Sequence, residues 1–531
     1  MNKIQVLDCT LRDGGYCNNW KFGFENIKKI TKGLVDADIE IIECGFITDK
    51  VSYDPNCSRF NAISQLSGIL PQNKNGRVFV VMINYGEYDI DQLPICDGSS
   101  IVGIRVAFHK KDLNEALILC KQIKEKGYMV FVQAMVSLSY SDNEFLSLIQ
   151  RVNQLEPYAF YIVDSFGMMK GKDLTRLFYV VEHNLKESIW IGFHSHNNMQ
   201  LAYSNAQTLV GIQTCRNLII DSSIYGMGRG AGNLNTELFV EYLNDNGFKK
   251  YELKPLLSII DEVLTQFHNK NYWGYSLPNY LSAKHNIHPN YAMYLDSKKT
   301  LTAECMDEIF SMIEKEKRVS FDKGYIESLY QEYMDSGTAI EDRLDQFKKL
   351  VCQKEVIIIA PGKSSLCEAD KILQLYQEKK PVVISINFEY GYVCTDYIFV
   401  SNLRRYHELP ENLHEKCIVT SNIPTMDVFI KYRYSELTNK YETVSDNAGM
   451  MLIKFLIKMK VGKIYLAGID GYSIDAESNY ADSEMSFYVK KVYFETMNSG
   501  MNYVLNEYAK HIPIEFLTEP KYINIAKETS N

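Results

Sequence analysis

Eight short apolar runs, each about one strand long, constrain the first half of this chain more than any other feature. They are Ile4–Asp8, Ile39–Gly45, Val78–Ile83, Ile101–Val106, Met129–Ala134, Ala159–Val163, Ile189–His194 and the weaker Leu218–Asp221. Segments of helical period lie between most of them, at Phe24–Asp36, Leu113–Lys126, Asp142–Leu155, Lys172–Asn184 and Gln200–Leu209. A run that is apolar throughout reads as a strand buried on both faces, so strands of this kind alternating with helices imply a parallel sheet with an outer helical layer. Eight such units within about 245 residues match a (β/α)8 barrel.

Active sites of that fold gather at the carboxyl ends of the strands, which gives several polar residues a common address. Arg12 and Asp13 follow the first run, in Asp8-Cys9-Thr10-Leu11-Arg12-Asp13-Gly14-Gly15-Tyr16. Glu43 closes the second, Arg105 and His109 lie at and beyond the end of the fourth, Gln133 ends the fifth and Asp164 follows the sixth. His194 and His196 end the seventh, where a side-chain period of two points both imidazoles the same way, which is half of a metal site or a pair of polar loop histidines. Beyond the eighth comes Gly226-Met227-Gly228-Arg229-Gly230-Ala231-Gly232-Asn233, a turn able to approach a ligand closely and present Asn233. Any one of these residues alone reads equally well as a cap, a salt bridge or a loop residue; together on one rim they point to chemistry.

At 531 residues the chain exceeds one ordinary core. A net charge of -9, with Lys and Arg dispersed, argues against a nucleic-acid or anionic-membrane surface and leaves small-molecule chemistry as the default. Twelve cysteines at scattered positions, with no Cys-x-x-Cys pair, predict a reducing cytoplasm. Met1 is followed almost at once by a strand, without a basic and apolar leader, and no run reaches the length of a membrane span.

At these residues the sequence resembles the DRE-TIM metallolyases, the superfamily of hydroxymethylglutaryl-CoA lyase, homocitrate and isopropylmalate synthases and 4-hydroxy-2-oxovalerate aldolase. The opening motif Asp8 to Gly14, Glu43, the pair His194 and His196 and the loop Gly226 to Asn233 carry the resemblance, and Val102 to His109 also looks like the fourth strand of the hydroxy-oxovalerate aldolases. It covers residues 1–245, with a looser extension to 335. The resemblance implies a divalent ion on Asp13, His194, His196 and Asn233, with Mn2+ or Mg2+ favoured and Zn2+ compatible with the donors. It implies a 2-oxo acid such as pyruvate and an aldehyde as substrates, Arg12 as the cation that stabilises the enolate, and Glu43 as the residue that orients Arg12. Arg105, Gln133 and Asp164 are then candidate substrate contacts. One departure concerns the base: the aldolases have a histidine shortly after the Arg-Asp pair, and here Tyr16 stands there. The relay then falls to Tyr16, given a nearby cation, or to His109 or a water with Tyr16 shaping the substrate.

Residues 251–335 read as a helical extension of the barrel around Tyr272-Trp273-Gly274-Tyr275-Ser276-Leu277-Pro278-Asn279-Tyr280, where Tyr275 and Tyr280 either reach substrate or pack as aromatics. Residues 336–354 read as a linker helix. From residue 355 onward a second α/β unit begins with Glu355 to Ala360, a turn at Pro361-Gly362-Lys363-Ser364-Ser365 and a helix, a weak anion-site pattern. The order of its strands looks like the Rossmann-like fold of one class of bacterial sialyltransferases and the related pterin-diphosphokinase-like proteins. That resemblance makes Gly362, Ser364, Ser365, Asn387 and Asp470 candidate contacts to a nucleotide or nucleotide sugar, although no histidine lies in residues 471–510 where those transferases carry their base.

The expected architecture is therefore an α/β chain with an N-terminal (β/α)8 TIM barrel at 1–250 and a C-terminal Rossmann-like domain at 355–531. The expected function is divalent-metal-dependent aldol chemistry on a 2-oxo acid, with sugar or surface-polysaccharide biosynthesis inferred from the domain pairing. A Claisen-type synthase acting on an acyl-CoA, and a non-catalytic metal-binding barrel fused to a nucleotide-binding or glycosyl-transfer module, are the alternatives. Barrel enzymes often form homo-oligomers, and no segment marks an interface.

Overall fold

In the computed structural model, which describes residues 3–298, 301–337, 339, 343–473, 479–481 and 494–520, every one of the eight expected runs is a strand. They are β1 Ile4–Asp8, β2 Ile41–Ile47, β3 Val78–Asn84, β4 Gly103–Phe108, β5 Met129–Ala134, β6 Ala159–Asp164, β7 Trp190–Ser195 and β8 Leu218–Ser222. Each pairs in parallel with its sequence neighbours, and β1 pairs with both β2 and β8, which closes the barrel. The two-residue strand Arg59–Phe60 adds to β2 outside the ring of eight. Helices follow most strands as the periodicity predicts, with 3-10 turns at Ile63–Gly68 and Ile90–Gln92 after β2 and β3.

The lumen is packed. Leu7, Ile41, Val80, Phe131, Ala159, Tyr161 and Ile219 form one buried cluster inside the ring. Two strand glycines make room for its rings. A Cβ on Gly192 would stand 2.4 Å from Tyr161, and one on Gly103 would stand 2.8 Å from Phe131. The Tyr161 ring in turn supports Arg105, whose guanidinium carbon lies 5.0 Å above it, so the apolar floor ends where the charged layer begins.

The chain divides into two compact units, but the division differs from the expected one. The first comprises Met1–Ser297 and Ile313–Asp322, the second Lys298–Met312 and Lys323–Asn531. Helices Ala303–Met312 and Lys323–Met334, expected as part of the barrel's extension, belong to the second unit. Side-chain contacts explain this: Tyr330 Oη lies 2.9 Å from Tyr434 Oη, and Ser421 Oγ donates to the Met334 carbonyl at 2.8 Å.

The second unit is built on β9 Glu355–Ile359, β10 Val382–Ile386, β11 Tyr397–Val400, β12 Cys417–Thr420, β13 Ile430–Tyr432, β14 Lys463–Ala467 and β15 Ile514–Phe516. All seven run parallel in the order β13-β12-β11-β10-β9-β14-β15. The order reverses between β9 and β14, the switch point at which open parallel sheets leave a crevice. No helix among the described residues is long and apolar enough to cross a membrane.

Candidate active site

The site is assembled from the carboxyl ends of the barrel strands, beginning with β1. Asp8 at its end accepts hydrogen bonds from the Thr10 N–H at 2.9 Å and the Thr236 hydroxyl at 2.7 Å. The residues after it wind into the helical turn Thr10–Asp13, which carries Arg12 and Asp13 over the lumen. Trp20 fixes the turn from outside by donating Nε1–H to the Arg12 carbonyl at 2.8 Å.

Asp13, His194 and His196 converge. Asp13 Oδ2 lies 3.3 Å from His194 Nε2, 3.6 Å from His196 Nε2 and 3.1 Å from Arg12 Nη1. Burial opposes the charge on Asp13, but Arg12 and the two histidines outweigh it and hold the carboxyl well below its usual range. His194 turns its other nitrogen to Asp221 Oδ2 at 2.9 Å, an arrangement that fixes the ring and leaves Nε2 facing Asp13.

A closed circuit of buried charge surrounds this pair. Arg12 Nε donates to Glu43 at 2.9 Å, Glu43 accepts from Arg105 Nη1 at 2.7 Å, Arg105 Nη2 bonds Asp221, Asp221 holds His194, and His194 returns to Asp13 beside Arg12. Burial works against a proton on His194, yet its two carboxylate neighbours raise its pKa above the ordinary value. With that proton the six members sum to zero; without it they carry one negative charge that a cation must balance.

The donor atoms left over fit a divalent metal. Both carboxylate oxygens of Asp13, Nδ1 of His196 and Oδ1 of Asn233 are buried without a hydrogen-bond partner of good geometry, which is costly unless another group satisfies them. Asn233 lies opposite His196 in a β-bridge and uses its Nδ2 on the Met227 carbonyl at 3.2 Å, which commits the amide's orientation. Burial lowers His196 to about 3, so it is the neutral imidazole a metal requires. Cys9, Asp13 and His194 form a trio whose ligand-type atoms all lie within 4.8 Å of one another. Cys9 is nevertheless a poor ligand, because its thiol bonds the Ser222 carbonyl at 3.2 Å and burial raises its pKa well above the usual thiol value.

The remaining expected residues separate. Arg105 is fully buried and spends its guanidinium on Glu43 and Asp221, so it positions the circuit instead of meeting substrate. Gln133, in register with Tyr161, is buried with Nε2 unpartnered and remains available to a ligand. Asp164 accepts from the Met168 and Met169 N–H groups at 3.0 Å each, which makes it the brace of the loop after β6. Tyr16 packs its ring 4.7 Å from Trp20, and burial raises its hydroxyl pKa, so it moves away from base chemistry at neutral pH and toward shaping the site. His109, just beyond β4, is lowered by burial and is therefore neutral at pH 7. Tyr275 is 52% exposed and Tyr280 half-buried; neither makes a hydrogen bond or ring contact to the cluster. Trp273 instead packs inward, donating to the Tyr225 carbonyl at 2.9 Å.

Three positions of this rim had been assigned no role from the sequence. Asp221, in the weakest strand pattern, orients His194. Arg229 sits between two glycines of the late loop with its Cζ 5.4 Å from the Tyr16 ring centroid. His288, distant in sequence, packs 5.8 Å from Phe166 and lies within the field of Arg229, His109 and His196. The signals that would have marked the last two are the glycines flanking Arg229 and the proline directly after His288, which fixes a helix start there.

In the second unit the expected contacts come together differently. Asp470 Oδ2 accepts from the Ser364 N–H at 2.8 Å, its Oδ1 bonds the Ser364 hydroxyl, and Ser365 Oγ donates to the Gly362 carbonyl at 2.7 Å. Asp470, beyond β14, thus joins Ser364 in the turn after β9, which brings these expected contacts to one end of the sheet. Asn387, in a left-handed conformation (φ 69°) after β10, has Oδ1 buried without a partner.

The first half of the chain is similar to known proteins. Residues 105–263 match the HMGL-like family model. The 4-hydroxy-2-oxovalerate aldolase of Geobacillus thermodenitrificans is 26% identical over 269 residues, 49% of this chain and 75% of the relative. That of Carboxydothermus hydrogenoformans is 28% identical over 269 residues, 49% of this chain and 77% of the relative. Among solved structures, the HMG-CoA lyase of Brucella melitensis is similar with a TM-score of 0.38 at 17% identity, covering 49% of this chain and 96% of that one.

Proposed function

We infer that the first half of the chain, which matches the HMGL-like family model over residues 105–263, is a divalent-metal-dependent carbon–carbon lyase or aldolase that acts on a 2-oxo acid, pyruvate being the simplest. The observation that carries this reading is the charge circuit closing on Asp13 and His194, with unpartnered donor atoms of Asp13, His196 and Asn233 around it. Two imidazoles, a carboxylate and an amide oxygen suit Mn2+, Mg2+ or Zn2+, and the oxygen share favours the first two. When bound, the ion supplies Lewis acidity toward the keto and carboxylate oxygens of the 2-oxo acid.

The chain's own residues do the rest. Arg12, locked by Glu43 and Asp13, keeps Nη2 out of every hydrogen bond among the described residues and offers it to the negative charge that develops on the keto oxygen. Glu43 and Arg105 prevent that guanidinium from swinging away. His109, neutral at pH 7, is the group we assign to relay the alcohol proton, while Tyr16 limits the space beside it. A scaffold without catalysis would have no use for Arg12 held in this way.

The test is metal-dependent exchange of pyruvate methyl protons with D2O, followed by NMR. Exchange that requires the metal and falls about a hundredfold or more in Arg12→Ala, and likewise in His194→Ala, is expected. A metal-loaded protein that never exchanges these protons would sink the pyruvate reading.

For the second unit we propose ligand binding in the crevice beyond the carboxyl ends of β9 and β14, with a nucleotide or nucleotide sugar as the ligand class and glycoconjugate synthesis as the setting. The support is the switch-point topology and the unpartnered Asn387 Oδ1. A rise in the melting temperature of the intact chain with such nucleotides is the expected result, and its absence across the common nucleotide sugars would reject the class.

A further inference from the structure

Arg229 is a cation with no anion among the described residues. Its Nε is buried without a partner, its Nη2 reaches only the Ser165 carbonyl at a long 3.4 Å, and its Cζ lies over the Tyr16 ring, 5.4 Å from the centroid. Among the described residues it forms no ion pair. The carboxylates of the same rim are engaged elsewhere: Asp164 by the N–H groups of Met168 and Met169, and Asp13 by Arg12 and the two histidines. A partly buried guanidinium left in this state is unfavourable unless an anion arrives to meet it.

His288 adds a second donor. Its Nδ1 accepts from the Asn290 N–H at 3.2 Å, so the neutral ring carries its proton on Nε2. Phe166 and Phe321 pack against the ring at 5.8 and 6.3 Å, and the His288 N–H is fixed on the Arg318 carbonyl at 2.8 Å. Phe166, on which the His288 ring packs, directly follows Ser165, whose carbonyl Arg229 Nη2 reaches, which puts both donors on the same rim.

We propose that Arg229 and His288 form an anion subsite at the barrel mouth, and that the carbonyl partner which adds to or leaves the 2-oxo acid carries a carboxylate or phosphate group. This rests on the aldolase reading of the barrel and deepens it by naming the class of the second substrate. A planar guanidinium braced on an aromatic face suits two-pronged recognition of either anion, and a fixed imidazole N–H adds a directional contact. A neutral short aldehyde would leave both donors without a partner.

The experiment uses the metal-loaded full chain with pyruvate and three kinds of aldehyde: neutral (acetaldehyde, propionaldehyde), carboxylated (glyoxylate, succinic semialdehyde) and phosphorylated (glyceraldehyde 3-phosphate). Methyl exchange of pyruvate alone runs in parallel. The expected result is that one anionic class exceeds the neutral aldehydes in kcat/KM, and that Arg229→Gln reduces this anionic-to-neutral ratio about 10–100-fold, chiefly through KM, the size expected for losing a charged hydrogen bond. Arg229→Lys restores part of the ratio, and His288→Gln reduces it less. The class preferred by the unaltered chain distinguishes carboxylate from phosphate. Equal use of neutral and anionic aldehydes overturns the proposal, as does an Arg229→Gln variant that loses all aldehydes alike or loses pyruvate exchange, because Arg229 would then serve the 2-oxo acid. Absence of exchange in the unaltered chain would instead remove the aldolase reading itself, and the subsite's assignment with it.

Discussion

Arg105 illustrates how far a residue's place on the rim differs from its role. It has no exposed surface, yet through Glu43 on one side and Asp221 on the other it sets the position of both Arg12 and His194. Removing one member of such a buried set leaves its partner's charge uncompensated, which costs about 3–5 kcal/mol in comparable cases. Asp221 is the member that orients His194, so on the proposed metal reading Asp221→Asn is expected to weaken divalent-metal affinity about 10–100-fold by calorimetry; unchanged affinity would show that His194 is held by packing alone. The same titration should depend on pH. Because His194 has a raised pKa in the metal-free site, the proton competes with the ion, so affinity rises with pH through that pKa and proton release accompanies binding. Without metal the sign reverses: the protonated ring contributes stability below about pH 6.5 that is lost as pH rises through the raised value. The residues legible in the sequence were those at strong strand ends, Asp13, His194 and His196 above all. Arg229 and His288 were not, because a lone arginine in a glycine loop and a histidine 92 residues after His196 acquire their meaning only from three-dimensional proximity.

At the scale of the element, the barrel strands were readable because strands buried on both faces are apolar without interruption, which is a stronger signal than alternation. Their ends shifted by a few residues, as at β2, where the run Ile39–Gly45 became Ile41–Ile47. The turn Thr10–Asp13 was not readable as helical, since Asp8 imposes it through hydrogen bonds to Thr10 and Thr236, and Thr236 lies at the far end of the barrel sequence. Strand glycines carry a testable load. In Gly192→Ala the new methyl meets the Tyr161 ring at 2.4 Å inside a closed, packed lumen, where the ring has no vacant space to enter. A loss of about 1–3 kcal/mol is expected by chemical denaturation. A variant as stable as the original would mean that the lumen is looser than its packing suggests.

For the whole molecule, the division into two units was legible as a change of pattern, but the boundary was not. Helices Ala303–Met312 and Lys323–Met334 look like any amphipathic pair, and only their partners, such as Tyr434 and Ser421, assign them to the second unit. A fragment beginning at residue 355 is therefore expected to melt lower than one beginning at residue 323, by about 2–8 °C if the lost contacts are worth 1–2 kcal/mol. Equal melting temperatures would show that the helix is dispensable to the sheet. The chain's route carries a further consequence. It leaves the barrel at Ser297, enters the second unit, and returns at Ile313 with the segment whose Arg318 carbonyl anchors His288. A gene trimmed at codon 297 would thus encode Arg229 and His288 without the carbonyl that steadies the latter, so the proposed acceptor contact would depend on codons read only after the ribosome has begun the other half of the protein.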